Sequence, residues 1–137
     1  MPTKFSTALR TARATAIASK LDAGTTPAVI EFYTASQPTT GGAAITTQVL
    51  IGTCIMSANS GTVANGILTF NPIADDTAAD ASGIIAWARL SDGDGNFVMD
   101  IECGLTGSGA GIIVNQLSVQ AGGLIKVVSG VITEGNA

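Results

Sequence analysis

No histidine occurs in the 137 residues, so the side chain best suited to general-base catalysis near neutral pH is missing. A histidine-based triad is excluded. A structural zinc site, which takes about four ligands, is not offered by the two cysteines, Cys54 and Cys103. Both cysteines lie in apolar runs and read as small buried hydrophobes. Free thiols are expected, although two strands could place the pair side by side and allow a disulfide. As nucleophiles they would need an activator, and none is near either one in sequence. Charge is also scarce. Asp, Glu, Lys and Arg make up 12% of the chain, about half the usual ~25%, and aromatics make up 4%. No run approaches the ~18 apolar residues of a membrane span, and the N-terminal stretch lacks the continuous apolar core of a secretory signal. Neither a membrane partner nor a signal peptide is expected.

What remains is a bland surface of Thr, Ser, Ala and Gly, poorly defended against association and suited to life inside an assembly. The few charges are segregated. Lys4, Arg10, Arg13 and Lys20 make the first twenty residues wholly basic, whereas residues 21–137 hold ten acids against Arg89 and Lys126, a net of −8. Such a body repels phosphate, so nucleic acid is not an expected partner. The basic segment reads either as a helix face docked on its own acidic domain or as an arm reaching an acidic neighbour. Arg10, Arg13 and Lys20 are the candidate interaction residues on it, and Asp75, Asp76 and Asp80 are the nearest expected partners of the arginines.

"FSTALRTARATAIASKLDAG" predicts the one helix, capped by Ser6 and stopped at Gly24, with Phe5, Leu9, Ala12, Ala16, Ile17 and Leu21 as its apolar stripe. From Pro27 onward the pattern is strands and turns. The predicted strands are "AVIEFYTA", "ITTQVLIGTCIMS", "TVANGILTFNPI", "IIAWARLS", "NFVMDIECGL", "IIVNQLSV" and "LIKVVSGVIT". The expected fold is mainly β: an antiparallel β-sandwich or jelly roll of about seven to eight strands, residues 25–137, preceded by an N-terminal amphipathic basic helix, residues 1–24.

Three stretches invite a chemical reading. In "SDGDGN", Asp92, Asp94 and Asn96 alternate with glycine as calcium ligands do. The sixth and twelfth positions of such a loop would then be Phe97 and Cys103 rather than glycine and glutamate, and the flanks are strands. A β-hairpin turn is expected. The glycines of "TGSGAG" precede a strand rather than a helix, so a flexible loop is expected in place of a phosphate cradle. Asp75, Asp76 and Asp80 lie in an alanine-rich connector and read as a solvated loop. Trp87, the only tryptophan, is mid-strand and is expected to anchor a core or an interface. No catalytic, cofactor-binding or metal-binding residue is expected, and no enzymatic activity.

"LRTARATAIASKLDAG", "DASGIIAWARLSDGDGN" and "IIVNQLSVQAGGLIKVVSGVITEGNA" follow one another in a pattern that resembles small proteins encoded among the virion genes of tailed bacteriophages. Those proteins begin with an arginine-bearing amphipathic helix, pass through a central strand ending in an Asp-Gly hairpin, and close on a strand. The resemblance covers both ends and the middle, about half the chain, and residues 36–75 match none of it. It rests on turns and helix faces, and transfers no catalytic residue. It implies a non-enzymatic virion structural protein with a small β-sandwich, assembled in the host bacterial cytoplasm: a capsid decoration (cement) or head–neck (collar) component. Its partners would be capsid, portal, neck or tail subunits and further copies of itself. The alternative from the residues is a carbohydrate- or host-surface-binding module of a tail or head fibre. Such sites usually display several aromatics, and this chain has six in all.

Overall fold

A computed structural model describes residues 3–137. Helix α1 (Thr7–Leu21) leads into ten strands: β1 (Val29–Tyr33), β2 (Leu50–Ile55), β3 (Gly61–Ala64), β4 (Ile67–Phe70), β5 (Gly83–Ile84), β6 (Trp87–Ser91), β7 (Phe97–Gly104), β8 (Ile112–Val114), β9 (Ser118–Val119) and β10 (Val127–Thr133). Eight form one curled sheet in the order β2-β1-β6-β7-β8-β10-β4-β3, and β5 pairs with β9 apart from it. The chain is therefore mainly β with one N-terminal helix, in the sandwich or jelly-roll class. It departs from a purely antiparallel sheet at one place, where β7 and β8 run parallel. No helix among the described residues is long and apolar enough to cross a membrane.

Alternation sets the two faces. On β1, Ile30 and Phe32 enter the core while Glu31 and Tyr33 point to the other side, as a period of two requires. Leu68, Leu90, Ile101, Ile112, Val114 and Ile125 join them in one continuous core. Two segments expected as single strands are divided. "TVANGILTFNPI" is the β3–β4 hairpin, turned at Asn65-Gly66, whose φ values of 52° and 78° suit the two-residue turn that asparagine and glycine favour. "IIVNQLSV" is split into β8 and β9, which belong to different sheets.

The helix starts as expected, with Ser6 Oγ accepting the Leu9 N–H at 3.1 Å. Its buried face is different. Ala14, Ala18 and Leu21 are buried and Ile17 partly so, whereas Leu9 is 46% exposed and Ala12 and Ala16 face outward. Small side chains let α1 lie close over β3 and β4 and reach β7. The first turn meets the sheet through Arg10, packed on Gly66, and through Thr11 Oγ1, which accepts the Gly66 N–H at 2.9 Å. Leu9 lies on the opposite side of the helix from that contact.

Candidate functional site

Residues 92–96 form the turn of the β6–β7 hairpin. Asp92 is nearly enclosed. Its Oδ1 accepts the Asp94 and Asn96 N–H groups at 3.0 and 2.9 Å, and its Oδ2 accepts the Asn96 side-chain amide at 3.0 Å. Asp94 Oδ1 accepts from Thr25, through its hydroxyl at 2.6 Å and its N–H at 3.2 Å. The carboxylates thus organise the turn and fasten it to the exit of α1. Gly93 lies so close to the Thr26 carbonyl that a Cβ there would collide with backbone, which is why glycine is needed at that place.

Hydrogen bonding, first from the Asn96 side chain and then from backbone N–H groups, holds the Asp92 carboxyl below its ordinary pKa. Its folded pKa lies below the unfolded one. The associated stability is therefore full above the ordinary carboxylate range and fades as pH falls through the lowered value. Asp92→Ala is expected to lower the melting temperature at neutral pH, and to lower it less in strong acid. Calcium is expected to leave both melts unchanged. A calcium-dependent rise of several degrees that Asp92→Ala removes would reinstate the cation reading.

The expected partners of the arginines are corrected. Arg13 pairs with Glu134, just past β10, at 3.1 Å, with its guanidinium 5.2 Å from the centre of the Phe5 ring. Arg10 meets no carboxylate within ion-pair distance among the described residues; it donates to Thr7 Oγ1 at 3.1 Å and covers the β3–β4 turn. Lys20 is exposed in the last turn, where a cation suits the helix dipole. The acidic connector instead protects the outer edge of β2. The Ala74 and Asp80 N–H groups reach the Ile55 and Ile51 carbonyls at 3.0 and 2.7 Å, and Asp76 Oδ2 accepts the Thr53 N–H at 3.0 Å.

Trp87 is 1% exposed, so it anchors the interior and presents no outward contact surface, a correction to its candidacy as an interaction residue. It stacks on Tyr33 at 4.9 Å and donates from Nε1 to the Thr34 carbonyl at 3.3 Å. Beside this pair is a cluster that sequence reasoning missed. Arg89 grips Asp100 with two bonds, of 2.8 and 3.1 Å, while its guanidinium lies 5.4 Å from the Trp87 ring and 5.3 Å from the Phe97 ring. Asp100 also accepts the Gly42 N–H at 3.2 Å, which draws the long loop between β1 and β2 over this face. Above all the Asp100 hydrogen bond, and Coulomb attraction with it, raises the Arg89 pKa, so the guanidinium stays charged.

The cysteines are free. Burial pushes the Cys54 thiol up to about 11 and the Cys103 thiol up to about 12, so both are protonated at neutral pH, the weakly nucleophilic form.

A cleft of about 590 Å³ opens between β7 and β10, walled by Met99–Glu102, Val131–Thr133 and the Gly109–Gly111 stretch. Consecutive residues of both strands line it, so its walls are strand edges. No known protein family matches the chain, and neither a curated protein nor a solved structure is significantly similar to it.

Proposed function

We propose that the chain is a non-enzymatic structural subunit of a tailed-bacteriophage particle, a capsid decoration or head–neck (collar) component that holds neighbouring virion subunits and further copies of itself. The observation that carries this reading is the surface. Large apolar side chains stand out from the surface, with Ile84 63% and Ile55 53% exposed and Val49, Leu124 and Val128 also open, amid few charges. The polar side chains that invite a chemical reading support it too. Asp76, Asp92, Asp94 and Asp100 are each engaged in fastening a turn, an edge or a loop. A fibre module that binds host carbohydrate has less support, because Phe97 is the one large aromatic with substantial exposure among the described residues.

Mass spectrometry of particles purified from infected cells, with light scattering of the isolated protein, tests the reading. The chain is expected in the particle at fixed stoichiometry, and in solution it is expected to self-associate through contacts burying roughly 800 Å² per partner. A protein absent from particles and monomeric at high concentration would overturn it.

A further inference from the structure

We propose that the cleft between β7 and β10 is a docking slot for a short extended peptide segment of another protein, which completes the sheet in line with β8 and sets a basic side chain beside Glu102. This reading is independent of the particle in which the chain works.

The walls specify an extended backbone. In the β6–β7 ladder the Cys103 N–H points to the Ala86 carbonyl, so alternation turns the main-chain groups of Asp100 and Glu102 the other way; the Glu102 C=O is used by β8 in the parallel Cys103–Ile112 pairing, which leaves the Glu102 N–H and both groups of Asp100 to the cleft. In the β4–β10 ladder the Glu134 N–H points to the Gly66 carbonyl, and the same alternation turns both main-chain groups of Thr133 into the cleft. The Val131 N–H takes the Gly111 carbonyl at 3.0 Å, which marks where the chain's own pairing stops. The lane is one strand wide, because β8 itself occupies it further along. Ile112 and Ile113 pair with Cys103 and Gly104 on one side and with Gly130 and Ser129 on the other. Two strand spacings, about 9.5 Å, therefore separate β7 from β10 at the mouth of the cleft.

The chain does not fill this lane itself. Residues 105–111 must leave the end of β7 and return beside Cys103, and Gly107 and Gly109, at φ 88° and 82°, curl them out of line. Charge narrows the occupant. Arg89 neutralises Asp100 and Arg13 neutralises Glu134, while Glu102 is exposed with no cation partner among the described residues. The rest of the lining is largely uncharged, including Met99, Ile101, Ile113 and Val131. A strand of β-branched residues carrying one lysine or arginine fits these walls.

The probe is a fluorescein-labelled seven-residue peptide of alternating valine and threonine with a central lysine, read by anisotropy and by amide exchange on the full chain. Binding is expected to slow exchange at Asp100, Glu102 and Thr133. Methylating alternate peptide nitrogens is expected to abolish it, and a central glutamate to weaken it about tenfold. Glu102 is exposed, so Glu102→Lys should fold normally and reverse the lysine preference. Ala110→Phe, placed in the cleft lining, should reduce binding by a similar factor with the circular dichroism unchanged. No binding at millimolar peptide, or binding indifferent to nitrogen methylation or to Glu102→Lys, would overturn the proposal. Exchange at the three amides that slows with protein concentration alone would also overturn it, by making a second copy the occupant.

Discussion

Removing residues 1–22 is expected to leave a chain that no longer folds. Ala14, Ala18 and Leu21 belong to the same continuous core as the strands, and α1 covers β3, β4 and part of β7. Without the helix that apolar surface opens to water, and Asp22 no longer accepts the Ser60 N–H at 2.9 Å. Single changes should divide by face. Leu21→Ala, at a fully buried position, is expected to cost about 2–5 kcal/mol, whereas Leu9→Ala should stay within about 0.5 kcal/mol. Arg13→Ala removes a partly exposed pair with Glu134 worth about 0–1 kcal/mol, so added salt should matter little. Circular dichroism and thermal melting of the truncation check this. A cooperative β-sheet melt in the shortened chain would contradict it.

The second large effect is expected at Arg89 and Asp100. Both side chains are largely buried, and the pair is bidentate, stacked between aromatic rings and capped by the Gly42 N–H. Asp100→Ala strands an enclosed cation and frees the long loop, so about 3–5 kcal/mol should be lost. The double change Arg89→Met with Asp100→Leu removes both charges and keeps apolar volume over Trp87, and should cost much less than Asp100→Ala. Urea denaturation of Arg89→Met, Asp100→Leu and the double closes the cycle. Singles that each cost under about 0.5 kcal/mol would show that the pair does not hold this face together.

Much of the fold could be read from local patterns. Ser6 announces the helix, the Asp-Gly repeat announces a hairpin, and the β-branched and aromatic residues of Val29–Tyr33 announce a strand. The buried helix face was obscured because alanines stand at 12, 14, 16 and 18, so that every face of that stretch carries methyl groups and only tertiary packing selects one. The Asn65-Gly66 turn was visible as a two-residue hairpin signal between Val63 and Leu68 but was overrun by the apolar residues around it. Arg89 opposite Asp100 also followed from the hairpin, once its turn was placed at 92–96 and the register slip at Leu90/Ser91 was allowed for. The parallel β7–β8 pair and the cleft it leaves had no local signal. They arise from strands meeting across the sheet, a long-range outcome that single-sequence periodicity does not encode.

The most direct test of the proposed virion role is a cryo-electron-microscopy reconstruction of the purified phage particle. The expected result is density for this curled sheet and its helix, repeated with the symmetry of the capsid or neck, with Ile84, Ile55 or Val128 buried against neighbouring subunits. A complete particle map in which every surface and neck density is accounted for by other chains would contradict it.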